Sequence, residues 1–135
     1  MVVDTSALIA ILREEPERDA FVNAILTTAN PHLSAVTVFE TAMVAEGRFG
    51  PAAGADIEKL INQLGLEIVP FNSGQAAAAG RAWRGFGKGN HPARLNLGDC
   101  CVYALAKILG EPVLCKGDDF RHTDISVVNV ASEPQ

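Results

Sequence analysis

Acidic side chains stand at four points of this 135-residue chain, three where a strand should end or a helix begin and one on the apolar stripe of a helix, and acids so placed can share a metal ion. Asp4 closes a short apolar run, Val2-Val3, and precedes Thr5-Ser6. Glu40 falls inside a stripe of Val36, Phe39, Met43 and Val44, spaced three and four apart as on one helix face. A carboxylate on a buried face needs a partner, because an isolated buried charge is expensive. Asp99 sits in the first turn of a strongly apolar helix, and Asp118-Asp119 follow Gly117 just past another short apolar run. Each has a plainer use. Asp4 and Asp99 suit helix caps, Glu40 suits a stripe edge or an Arg partner, and the Asp pair suits an ordinary turn. Together they say more. Two like charges ~4 Å apart repel by roughly 4 kcal/mol at an effective dielectric near 20, so four converging carboxylates call for a cation. Hard oxygen ligands without clustered His or Cys select magnesium, or manganese, over zinc. The chemistry that fits is phosphodiester hydrolysis.

The elements that must position these acids alternate along the chain. Strands are expected at Val2-Val3, His32–Ser34, Leu66–Pro70, Val113–Cys115 and Ile125–Val128. Helices are expected over Ala7–Leu12, Pro16–Leu26, Val36–Arg48, Ala52–Leu64, Ser73–Phe86 and Gly98–Leu109, with Ser73 as a cap and a Gly-, Pro- and Asn-bearing loop before Asn96. Short apolar strands between helices predict an α/β domain whose mainly parallel sheet is covered on both faces. Sites in such folds gather at the carboxyl ends of strands near a switch in strand order. Asp4 and Asp118-Asp119 both belong there. One domain over 1–130 and a frayed tail over 131–135 are expected, with no internal repeat.

The composition narrows the class. Apolar residues make up 48%, enough for a packed core, yet no run approaches the ~20 residues that span a bilayer. Met1-Val2-Val3-Asp4 carries no basic leader, so no secretory signal is expected. Three cysteines, Cys100, Cys101 and Cys115, have no C-x-x-C spacing and suggest reduced thiols in a cytoplasmic protein. The net charge of −5 argues against a polyanionic partner, but its distribution does not. No acid occurs between Glu67 and Asp99, a stretch that carries Arg81, Arg84, Lys88 and Arg94. It is a solvated helix face and loop, or a local basic rim around an otherwise acidic site. In the second case Gly87 and Gly89 would let the backbone approach a phosphate.

The motifs Val-Val-Asp-Thr-Ser-Ala-Leu at 2–8, Phe-Glu-Thr-Ala around Glu40, Leu-Asn-Leu-Gly-Asp-Cys at 95–100 and Leu-Cys-Lys-Gly-Asp-Asp-Phe at 114–120, followed by Thr123-Asp124-Ile125, resemble VapC-type PIN-domain toxins over essentially the whole chain. The resemblance implies a three-layer α/β/α fold with a five-stranded parallel sheet. It implies a magnesium-dependent endoribonuclease, usually a homodimer, neutralised by a cognate VapB antitoxin in a larger hetero-oligomer. By position, Asp4, Glu40 and Asp99 are three of the four site acids. Many relatives place the fourth where this chain has Gly117, so Asp118 and Asp119 fill that role between them, Asp119 being grouped with the metal ligands. Thr5 or Ser6 matches the hydroxyl that supports the first Asp. The antitoxin is expected to lay apolar residues near Ile11 and Leu12 and a basic side chain near the acids.

Two other classes compete. A phosphoacceptor receiver domain would use Lys116, but it needs an acidic pair after the first strand and an Asp after the third, where this chain has Val69-Pro70-Phe71. A PIN fold that binds RNA or protein without cutting would have lost site acids, and here every position holds one.

Overall fold

A computed structural model describes residues 1–89 and 91–130. The tail at 131–135 lies outside the described residues. The chain runs β1 (Val2–Val3), α1 (Thr5–Leu12), α2 (Arg18–Leu26), β2 (His32–Ser34), α3 (Ala35–Phe49), α4 (Ala53–Gln63), β3 (Glu67–Val69), α5 (Ser73–Phe86), α6 (Leu97–Leu109) and β4 (Val113–Leu114), then a 3-10 turn at Asp119–His122. The four strands are parallel in the order β3-β2-β1-β4. The order reverses between β1 and β4, which opens a crevice at their carboxyl ends.

Strand alternation builds the three layers. Val2 and Val113 point into a core with Ala82, Leu95, Val102 and Leu105, under α5 and α6. Their neighbours Val3 and Leu114 point the other way, into a core with Leu8, Phe21, Ile25 and Ile57 from α1, α2 and α4. A two-residue strand thus feeds both faces, because successive side chains alternate.

The expected fifth strand shrinks to one isolated parallel bridge between Val113 and Val127. Val113 donates to Ser126 O and accepts from Val128 N, both at 2.9 Å. Only Val113 of β4 turns its N–H and C=O to this segment, because Pro112 and Leu114 turn their carbonyls to Val2 and Asp4 of the β1 side, and β4 ends at Leu114. The segment is tied down instead by Asp124, which accepts from the Tyr103 hydroxyl and pairs with Lys107 at 2.8 Å.

Three more expectations change. The buried residues of α3 are Thr37, Thr41 and Ala45, while Phe39 and Met43 are 71% and 56% exposed. Of the Ala7–Leu12 segment, Ala7 to Ile11 are buried and only Leu12 is half-buried, so Ile11 offers no docking surface. The cap of α5 is Asn72, not Ser73: its side chain accepts from Gln75 N at 2.9 Å.

Candidate active site

Asp4 leaves β1 and starts α1. Its amide donates to Leu114 O of β4 at 2.9 Å, which fixes it in the middle of the sheet. One carboxylate oxygen, Oδ2, accepts from Ser6 N at 3.0 Å and Ser6 Oγ at 2.6 Å, so Asp4 is the cap of α1 as well. The other oxygen, Oδ1, is shielded from solvent and has no hydrogen-bond partner. Buried carboxylate oxygens are rarely left so.

Glu40 arrives from α3. Its Oε1 accepts from Thr5 Oγ1 at 2.6 Å, and Thr5 in turn accepts from Thr41 at 3.1 Å. The two hydroxyls after Asp4 therefore divide the work: Ser6 serves Asp4 and Thr5 serves Glu40. Asp99 arrives from α6 in a capping box with Asn96, accepting from Asn96 N at 3.1 Å and donating its own N–H to Asn96 Oδ1 at 2.9 Å. Gly98 lets α3 and α6 meet. A Cβ there would be driven into the Glu40 carboxylate. Sequence reading passed over Gly98, although a glycine in the first turn of a helix was the signal.

Asp4, Glu40 and Asp99 line one cleft of about 430 Å³ at the strand-order switch, together with Thr5, Ser6, Asn96 and Glu15. The electrostatics reflect crowding. Burial raises the Asp4 pKa, Ser6 opposes it, and the Glu40 charge adds to the rise. Burial also lifts Asp99 to about 7, with Asp4, Asp119 and Glu40 contributing repulsion against the Asn96 hydrogen bond.

The last two acids differ from each other. Asp119 is exposed at the start of the 3-10 turn, and its charge reaches Asp99 and Cys115. Asp118 is exposed and pairs with Arg121 at 3.7 Å. Neither lines the cleft. Among the described residues no three His, Cys, Asp or Glu side chains close on a single ion position. The cysteines are not poised nucleophiles: burial pushes Cys115 up to about 12 and Cys100 up to about 11.

Arg81, Arg84, Lys88 and Arg94 are all exposed and none lines the cleft. Gly87 does not open a phosphate path. It is buried, its N–H bonds Trp83 O at 2.8 Å, and a Cβ would strike that carbonyl. Gly89, at φ +88, has open space around its Cα. The cations that do line the cleft are Arg48 and Lys116, which sequence reading did not assign to the site. The Lys-Gly-Asp-Asp run beside the fourth acid position was the signal for Lys116. Among the described residues, no helix is long and apolar enough to cross a membrane.

The family model for the PIN domain matches residues 1–126. Ribonuclease VapC30 of Mycobacterium tuberculosis is 44% identical over 128 residues, covering 95% of this chain and 98% of the relative. Ribonuclease VapC of Mycolicibacterium smegmatis is 43% identical over 129 residues, covering 96% of this chain and 100% of the relative. Among solved structures, VapC20 of M. tuberculosis, a sarcin-ricin loop cleaving toxin, superposes with a TM-score of 0.75 at 14% identity, covering 94% of this chain and 97% of that one. VapBC2 of Rickettsia felis, bound to a promoter DNA fragment, gives 0.74 at 11% identity, covering 96% and 98%. At such identities these two likenesses concern the fold. The match to the family model over residues 1–126, with relatives above 40% identity over nearly the whole chain, puts the chain in the PIN-domain family, among the VapC ribonucleases.

Proposed function

We infer that this chain is the toxin of a VapBC pair, an endoribonuclease that cuts RNA with a divalent cation, magnesium or manganese, held by Asp4, Glu40, Asp99 and Asp119, with Asp118 as a further acid nearby. The observation that carries this reading is Asp4 Oδ1: a buried, unpartnered oxygen in a cleft of hard oxygen donors fits a small hard cation. A divalent cation held there would supply positive charge to a scissile phosphate and lower the pKa of an attacking water. The chain's own groups prepare that chemistry. Ser6 holds Asp4 by one oxygen and leaves the other available. Thr5 fixes the Glu40 carboxylate, and the Asn96 amide fixes that of Asp99. Arg81, Arg84, Lys88 and Arg94 are outer contacts for the RNA strand, and Lys88 and Arg94 sit on the loop that leads into α6.

A VapB-type antitoxin is the partner. Its apolar anchor belongs in the groove of about 360 Å³ between the end of α1 and the α3–α4 corner, where Leu12 and Phe49 are accessible and the Arg13 guanidinium lies 5.4 Å from the Phe49 ring centroid. A basic antitoxin side chain then reaches the acid cleft. Two copies form a homodimer, and the antitoxin extends it to a larger assembly. We assign the protein to the cytoplasm.

Cleavage of an RNA panel is the test. Cutting is expected with magnesium, abolished by EDTA, restored by added metal, and absent in Asp4→Asn and Asp99→Asn variants that still fold. RNA binding by the unaltered protein with no cutting under any divalent metal would replace this reading with that of a binding module.

A further inference from the structure

Lys116 and Arg48 are the two cations that line the acid cleft, and they approach it from different elements. Lys116 follows β4, and Arg48 lies in the last turn of α3. Lys116 is tied at both ends. Its backbone N–H donates to Ser6 Oγ at 2.9 Å, and that hydroxyl donates to Asp4 Oδ2 at 2.6 Å, so the root of the side chain is one hydroxyl away from Asp4. Its ammonium is clasped by Glu15 at 2.9 Å and Glu17 at 3.1 Å, from the α1–α2 connection. Arg48 is exposed, and its charge acts on Glu15, though no ion pair of Arg48 is formed among the described residues.

A polyanion approaching this cleft meets Asp4, Glu15, Glu40 and Asp99, on a chain whose net charge is already −5. Its phosphates need cations at the mouth, close to the acids but not neutralised by them. The Glu15 and Glu17 pairs do not withhold Lys116 from such a role. They lie at the surface, where ion pairs are weak and exchange readily. Resting on the ribonuclease reading above, we propose that Lys116 and Arg48 grip the backbone phosphates of a single RNA strand at the mouth of the cleft, and that Glu15 and Glu17 are the resting partners Lys116 exchanges for phosphate. The contact is with the backbone, so it sets affinity and position and not base choice. The carboxylate clasp holds the ammonium extended at the rim before RNA arrives, and it competes with RNA for the same charge.

The test uses the full chain and a labelled single-stranded oligoribonucleotide, titrated by fluorescence anisotropy at several salt concentrations with calcium in place of magnesium. Lys116→Ala is expected to weaken binding by roughly ten-fold, as for loss of one charged hydrogen bond. It should also flatten the log–log salt dependence by about 0.7, the single-strand value for one phosphate contact. Lys116→Gln, neutral and of comparable reach, should do the same, and Arg48→Ala should remove a similar increment. Glu15→Gln with Glu17→Gln should tighten binding, an effect that a merely structural salt bridge would not give. In magnesium, Lys116→Ala should raise KM far more than it lowers kcat. If the unaltered protein cuts RNA while both Lys116 variants keep its affinity and salt slope, the cationic mouth is wrong and the ribonuclease reading stands. If binding carries the Lys116 signature but no RNA is cut in any divalent metal, the ribonuclease reading is wrong and the phosphate grip stands.

Discussion

The two oxygens of Asp4 live in different surroundings, one saturated by Ser6 and one bare, and Asp99 repeats the contrast in its protonation. Burial and neighbouring acids lift Asp99 from an ordinary 3.8 to about 7 in the folded chain. Below about 4 both folded and unfolded chains hold that proton. Between about 4 and 7 the folded chain holds it and the unfolded chain has lost it. This group's contribution to stability therefore falls as pH rises through that window and levels off above it. Metal-free protein melted at pH 5, 6, 7 and 8 should lose stability relative to Asp99→Asn across those steps, by a few kcal/mol at most. Parallel pH profiles for the two proteins would show that the Asp99 proton is not shared in this way. Gly98 offers a second residue-scale test. Gly98→Ala should cost about 1–3 kcal/mol of stability through overpacking and should cut kcat steeply by displacing Glu40. Gly47→Ala, in α3 with open space around it, should stabilise by roughly 0.5–1 kcal/mol and leave activity alone. Equal activities for the two variants would remove the Gly98–Glu40 contact from the account.

At the scale of the element, the caps carry site residues, so stability and chemistry can be separated by choosing the right half of a cap. Asn96→Ala removes the side-chain acceptor for the Asp99 amide but keeps the Asn96 backbone N–H that orients the Asp99 carboxylate. Denaturant melts should record a loss of about 1 kcal/mol with kcat largely kept; a collapse of kcat with unchanged stability would invert that assignment. The elements also mark where the sequence could be read. Strands at 2–3 and 32–34 and all six helices were legible, because apolar periodicity and Gly or Pro punctuation agree there. The α3 face was not. Phe39 and Met43 look like core, whereas Thr37 and Thr41 are the residues inside. Hydropathy does not see that the Thr41 hydroxyl finds a partner in Thr5, or that a polar inner edge is what brings Glu40 to Asp4. The fifth strand was misjudged because the Ile-Ser-Val-Val pattern says nothing of its partner, a two-residue β4 in which Val113 alone faces it. The bond from Lys116 to Ser6 spans 110 positions, and no local pattern encodes it.

For the whole molecule, the exposed apolar side chains need covering. Phe39 and Met43 on α3, Trp83 on α5 and Leu97 at the start of α6 are each at least half exposed. We expect a C2 homodimer in solution that covers part of this surface. Light scattering at micromolar concentration should give twice the 14.3 kDa chain mass, and a monomer with or without antitoxin would count against it. Magnesium should raise Tm in the unaltered protein, because a ligand that binds only the folded state stabilises it by mass action. The rise should vanish in Asp4→Asn.

The placement of Asp4 also bears on how such a protein is silenced. Its amide is bonded to Leu114 at the centre of the sheet, and its neighbours Val2 and Val3 are fully buried on both faces. An amide so held should exchange with solvent hydrogen only when the domain as a whole opens, so Asp4 is expected to have no separate melting event of its own. Fraying of the ends that carry Asp99 and Asp119 would leave Asp4 in place. A restraint that acts at Asp4 would then have to come from outside, and lifting it would require no refolding around that residue.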